Sequence, residues 1–155
     1  MVYGGGGITP DIFVPEDTSD VTSYYKQAAM SGLILQYAFT YTDNNRPKLN
    51  NFSEMMELSD YLEKQGLVDQ FASYAEQRGL KRRNLLIQKS YHLLDRYINS
   101  RIIYNMLDEN AWNQYLNLED PVIRKAQQVF ATDSSFPKLT TPAKKKKSAV
   151  KSQKK

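Results

Sequence analysis

Cysteine is absent from the 155 residues, which excludes disulfide frameworks, thiolate nucleophiles and cysteine-ligated metal centres. Histidine occurs once, at His92, so a zinc or iron site built on several imidazoles is excluded too. Nowhere does an uninterrupted apolar run reach the ~18 residues that a membrane-spanning helix requires. The first residues lack the basic-then-apolar layout of a secretory leader. Only one tryptophan is present, against eleven tyrosines. What remains is ordinary for a globular chain: 41% hydrophobic and 25% charged residues, a length that fits one domain.

The net charge of +4 is concentrated at one end. Seven lysines fall between Lys144 and Lys155, and without them the remainder carries −3. The body is therefore mildly acidic. The tail has few apolar groups to bury and is expected to be disordered. Such a tail can attract nucleic acid or another polyanion through Lys144, Lys145, Lys146 and Lys147. No aromatic residue is interleaved there to stack on bases, so weak, nonspecific binding is the most it implies. A solvated terminus that favours solubility is the simpler reading.

Glycine is sparse except at one place. Gly4 to Gly7 are consecutive, and Ile8, Pro10, Asp11, Ile12, Phe13, Val14 and Pro15 follow. The apolar residues have the β-branched and aromatic bias of a strand. The prolines cannot donate ladder hydrogen bonds, which confines that strand to an edge or keeps it short. No helix bearing Lys-Ser/Thr follows the glycines, so this is not a phosphate-binding loop.

The stretch VYGGGGITPDIFVPEDT resembles the segment that closes the catalytic domain of C-terminal processing (tail-specific) serine peptidases, most closely those of Bacteroidetes type. The residues that follow, Ser23-Tyr24-Tyr25, Gly32-Leu33-Ile34, Tyr37-Ala38-Phe39 and Tyr41, are similar to that family's C-terminal extension. The resemblance runs over roughly residues 2–131 and is densest in the first 18. It implies that the catalytic Ser and Lys of the parent enzyme lie upstream of this segment. It also implies a periplasmic or exported location for that family, and action on protein substrates only through the parent enzyme.

Helical signals fill the middle. Thr18, Ser19 and Asp20 are candidate N-caps for a first helix, and Gly32 marks a break. Asp43-Asn44-Asn45-Arg46-Pro47 reads as a turn. A helix is expected over about 53–64, ended by Gly66. A shorter one follows through Val68, Phe71, Tyr74 and Ala75, with Gly79 as its C-terminal cap. The longest is expected over about 81–107, roughly 40 Å of continuous helix. Another spans about 110–118. Asp120-Pro121 then opens a last amphipathic helix with Val122, Ile123, Ala126, Val129 and Phe130 on one stripe.

Candidate chemistry is thin. Lys89 and Ser90 are adjacent, so on a helix they point to different sides and form no dyad. His92 has only helix neighbours, Lys89 and Asp95, and reads as exposed or paired. Asp43, Asn44 and Asn45 lack the spaced acidic ligands of a calcium loop. Ser134 and Ser135 fall in the expected tail. No catalytic, cofactor-binding or metal-binding residue is assigned. The tyrosines suit half-buried positions at a core edge, or a surface that docks on a peptidase catalytic domain or a second subunit.

The expected fold is mainly α: a short N-terminal strand over residues 1–17, an irregular bundle of about five to seven helices over 18–131, and a disordered Lys-rich tail over 132–155. The expected role is a structural and docking extension of a serine peptidase, inactive alone. The alternative is a free-standing helical module that binds polyanions through its tail.

Overall fold

A computed structural model describes residues 12–132, which form eight helices and, among the described residues, no strand. The helices are α1 (Ser23–Met30), α2 (Leu33–Leu49), α3 (Met55–Glu63), α4 (Leu67–Glu76), α5 (Asn84–Lys89), α6 (Tyr91–Met106), α7 (Glu109–Asn117) and α8 (Pro121–Thr132). The mainly α expectation holds. The N-terminal strand does not: Ile12, Phe13 and Val14 run as irregular chain. A strand needs a partner ladder for its N–H and C=O groups, and none of the described elements offers one. Gly4 to Gly7, Ile8, Pro10 and Asp11 lie outside the described residues, as do Ser134, Ser135 and all the lysines from Lys144 on.

Local chemistry explains most boundaries. Thr22, not Thr18, Ser19 or Asp20, caps α1: its Oγ1 accepts from the Tyr25 N–H at 3.2 Å. The earlier residues close a turn instead, with the Val21 N–H donating to the Thr18 carbonyl. Gly32 then takes φ 72, the left-handed conformation that lets α2 leave α1 in a new direction. At the end of α4 the Leu80 N–H donates to Ala75 and the Gly79 N–H to Glu76, the paired bonds of a Schellman cap around a left-handed glycine. Asp120 caps α8 as its sequence promises. Its Oδ1 accepts from the Val122 and Ile123 amides, with Pro121 in the first turn.

Two expectations fail for tertiary reasons. The Asp43–Pro47 stretch is helix, because α2 continues to Leu49 with Pro47 inside it. Thr42 and Leu49 are fully buried on this turn, and the Asn45 amide donates to the Tyr41 carbonyl. Burial there outweighs the turn propensity and the one backbone bond that proline forfeits. The long helix expected over 81–107 is two. Ser90 sits between α5 and α6 at φ −101 and ψ 20, well off helical values. Its hydroxyl is buried, 2.8 Å from the Leu86 carbonyl and 3.0 Å from Thr22 Oγ1, so the bend pins the start of α1 to the α5–α6 junction. This division takes the helix count past the expected five to seven.

Helix α6 is the centre of the bundle, with α2, α3, α4, α5 and α7 packed around it. Its Leu94, Ile98, Ile102 and Ile103 are fully buried among Ile34, Leu58, Leu62 and Phe71 of the surrounding helices. Tyr37 joins them, edge-on to Phe71 and to Tyr74. Tyr24 and Tyr115 are also core. Tyr25, Tyr41, Tyr61, Tyr74 and Tyr97 are half-buried, the core-edge role read from the sequence. Helix α8 differs from the rest, since it is amphipathic and buries no residue.

Candidate functional site

Three surface features carry unusual chemistry. The first is a polar cavity of about 470 Å³, with Ser59, Asp60 and Glu63 of α3, His92, Asp95 and Arg96 of α6, and Tyr115, Glu119 and Arg124 around it. His92, Asp95, Arg96 and Asn99 recur at helical spacing, so α6 lays them on one face. His92 Nε2 lies 2.9 Å from Glu119 Oε2, and Arg96 Nε lies 3.9 Å from the same oxygen. Arg96 also donates to the Leu116 carbonyl. Asp95 Oδ2 accepts from the buried Asn99 amide at 2.9 Å.

Electrostatics in this cavity favour the protonated acid. Burial, with Glu63 next in weight, raises Asp95 to about 6, against the opposing pull of His92 and the Asn99 hydrogen bond. Burial pushes the Tyr115 hydroxyl up to about 12. Ser59, His92 and Asp95 share the cavity, yet they are not a relay. His92 pairs with Glu119, and no hydrogen bond joins Ser59 to His92. Among the described residues, no group of three or more His, Cys, Asp or Glu side chains is placed to hold a metal ion.

The second feature lies on the other side of α6. Tyr97, Arg101 and Tyr104 follow one another along the helix, and Trp112 reaches them from α7. Trp112 meets Tyr104 edge-on at 5.8 Å. The Arg101 guanidinium sits 5.4 Å from the Tyr97 ring centre and 5.2 Å from that of Trp112. Grooves of about 410 and 420 Å³ open on either side of it. The third feature is a small cleft of about 170 Å³, formed where Ile12 and Val14 lie beside Val122, Ala126 and Val129 of α8.

The residues singled out in the sequence fall as follows. Ser90 is buried while Lys89 is exposed, so the two do not meet. His92 is exposed and paired with Glu119, a partner that sequence neighbours could not reveal. Asp43 pairs with Arg46 on the surface of α2. Asp95, Arg96 and Arg101 were not legible as site residues. The available signal for Arg101 was a cation between tyrosines at i−4 and i+3, with the one tryptophan of the chain shortly after it.

Residues 24–108 match the Family of unknown function (DUF8443). The chain belongs to this family. The DUF8443 match takes in α1 to α6 and ends at Asp108, before α7 and α8. The polar cavity and the Arg101 groove are thus each built from DUF8443 residues on α6 and from residues beyond the match, Glu119 in one and Trp112 in the other. Residues 2–18, the Gly-rich segment, precede the match. No curated protein and no solved structure matches the chain. No helix among the described residues is long and apolar enough to cross a membrane.

Proposed function

We propose that this DUF8443 chain is the C-terminal helical extension of a tail-specific serine peptidase, a docking module that seats the peptidase domain on α8. One observation carries the reading: Ile12 and Val14, within the segment that resembles the peptidase, lie beside the apolar stripe of α8. Together they make a continuous apolar surface where the chain enters the bundle. Of that stripe Val122 and Ala126 are exposed and Ile123 and Val129 only half-buried, an apolar face that a partner could cover. A domain joined through the residues before Ile12 would reach this surface at high effective concentration. Catalysis would belong to that domain's Ser and Lys, and the bundle would hold and orient it.

The test is to mix the purified chain with a separately expressed catalytic domain of a Bacteroidetes-type tail-specific peptidase and measure association by sedimentation. A complex is expected, with Val122→Asp plus Val129→Asp weakening it by about tenfold or more, the loss of a buried apolar contact. Neither residue is buried in the bundle, so the variant should fold normally. No complex with the unaltered chain, or a complex indifferent to both changes, would sink the reading. Deleting Lys144 to Lys155 should leave association intact. A partner lost on that deletion, bound steeply less well between about 50 and 200 mM salt, would assign the polyanion role instead.

A further inference from the structure

We infer that the groove beside Arg101 is a recognition site for a protein segment that carries a carboxylate next to aromatic or aliphatic side chains. The site is distinct from the α8 surface, and the inference does not depend on the peptidase reading.

The argument begins with unmatched donors. Arg101 Nε and Trp112 Nε1 are both buried, and neither has an acceptor. Arg101 makes no ion pair among the described residues; its guanidinium lies against the neutral rings of Tyr97 and Trp112. Buried N–H groups without acceptors are rare and costly, more so when one belongs to a cation. The pocket therefore holds positive potential and hydrogen-bonding capacity that the chain itself does not satisfy. A carboxylate can accept from a guanidinium at two points and extend to a neighbouring indole N–H.

The surroundings decide what bears that carboxylate. On one side Arg101 shares its groove with Leu35, Phe39 and Tyr104, which are 45%, 59% and 46% exposed. Exposed apolar residues flanking one cation suit apolar side chains next to an acid. Trp, Tyr and Arg together are also the composition of binding hot spots. A nucleic acid fits poorly: the cations lining the two grooves are Arg101 and Arg96, the latter already bonded to the Leu116 carbonyl, Asp120 lies beside them, and a phosphate backbone needs several cations in a row.

The experiment selects a phage-displayed random peptide library on the immobilised full chain, then measures one selected peptide by fluorescence anisotropy. Selected sequences should share an Asp or Glu adjacent to Phe, Tyr, Trp or Leu. Arg101→Gln should weaken binding by about tenfold or more, the weight of a charge-assisted hydrogen bond. Changing the peptide's acid to its amide should do the same, and combining the two should add little further loss, the signature of a direct pair. Arg101→Gln should retain the fold by circular dichroism, since it breaks no ion pair among the described residues and gives up only the contacts with the Tyr97 and Trp112 rings. Phe39→Ser supplies a second variant on the exposed rim and should also weaken binding. A library that yields no binder, a binder indifferent to Arg101→Gln and Phe39→Ser, or a site that prefers single-stranded DNA to every peptide would overturn the inference.

Discussion

Asp95 shows how one side chain couples the bundle to pH. Burial and then Glu63 raise its carboxyl from 3.8 to about 6, with Glu119 adding to the rise and His92 and Asn99 opposing it. Between those two values the folded chain keeps a proton that the unfolded chain releases. Stability therefore increases as pH falls from about 7 toward 4, and the charged form is a burden above 6. Asp95→Asn removes the charge and keeps an acceptor for the Asn99 amide. It should stabilise the protein at pH 8 by about 1 kcal/mol, once the shift is discounted for the partial exposure of the group. The gain should vanish near pH 4. Urea titrations at both pH values check it, and a variant less stable than the parent at pH 8 would contradict the sign. None of this was legible in the sequence. Glu63 and Glu119 are brought to Asp95 by the packing of α3 and of the chain after α7 against α6, not by helical spacing.

At the scale of elements, caps and left-handed glycines were the reliable signals. Gly32, Gly79 and Asp120-Pro121 each act where the sequence places them, because their effects need only a few neighbouring residues. Gly32→Ala should cost about 1 kcal/mol, the penalty for a Cβ at positive φ, although nothing within 4 Å would touch the added methyl. Thermal melting of the two proteins checks this. An unchanged transition would mean that the α1–α2 corner relaxes freely. Pro47 and Ser90 misled for the opposite reason. The helical state of one and the bend at the other are fixed by buried contacts on other elements, with Leu49 in the core and Thr22 bonded to Ser90 across the bundle. A strand over Ile12–Val14 was equally unreadable, since a strand exists only with its partner.

For the molecule as a whole, apolar burial centres on α6 and leaves α8 outside. Leu94→Ala should cost about 2–5 kcal/mol, the range for a fully buried leucine, and Ile98→Ala a similar amount. Ending the chain after Asp120 should cost no more than about 1 kcal/mol, because no residue of α8 is buried. Chemical denaturation separates the two cases. A truncated chain as unstable as Leu94→Ala would place α8 in the folding unit and weaken its role as a docking face. The mainly α architecture could be read from apolar spacing alone, and Leu94, Ile98 and Ile102 of α6 stand at that spacing while the buried Ile103 does not. The paired grooves could not, since each needs two helices that meet only in the fold.

Because α2, α3, α4 and α5 all pack on a helix that comes after them, synthesis of the chain has an enforced delay. The first half emerges from the ribosome able to pack α1 on α2 and α2 on α4, but without the helix on which most of its apolar faces close. Some 57 residues separate Leu49 from Met106, the last residues of α2 and α6. At about 5–20 residues per second, α2 waits roughly 3–11 s for its principal partner. Through that interval Tyr37 can already pack on Phe71 and Tyr74 of α4, while the face of α2 that α6 will cover meets solvent or whatever binds nascent apolar helices. The bundle can close only when α6 is complete.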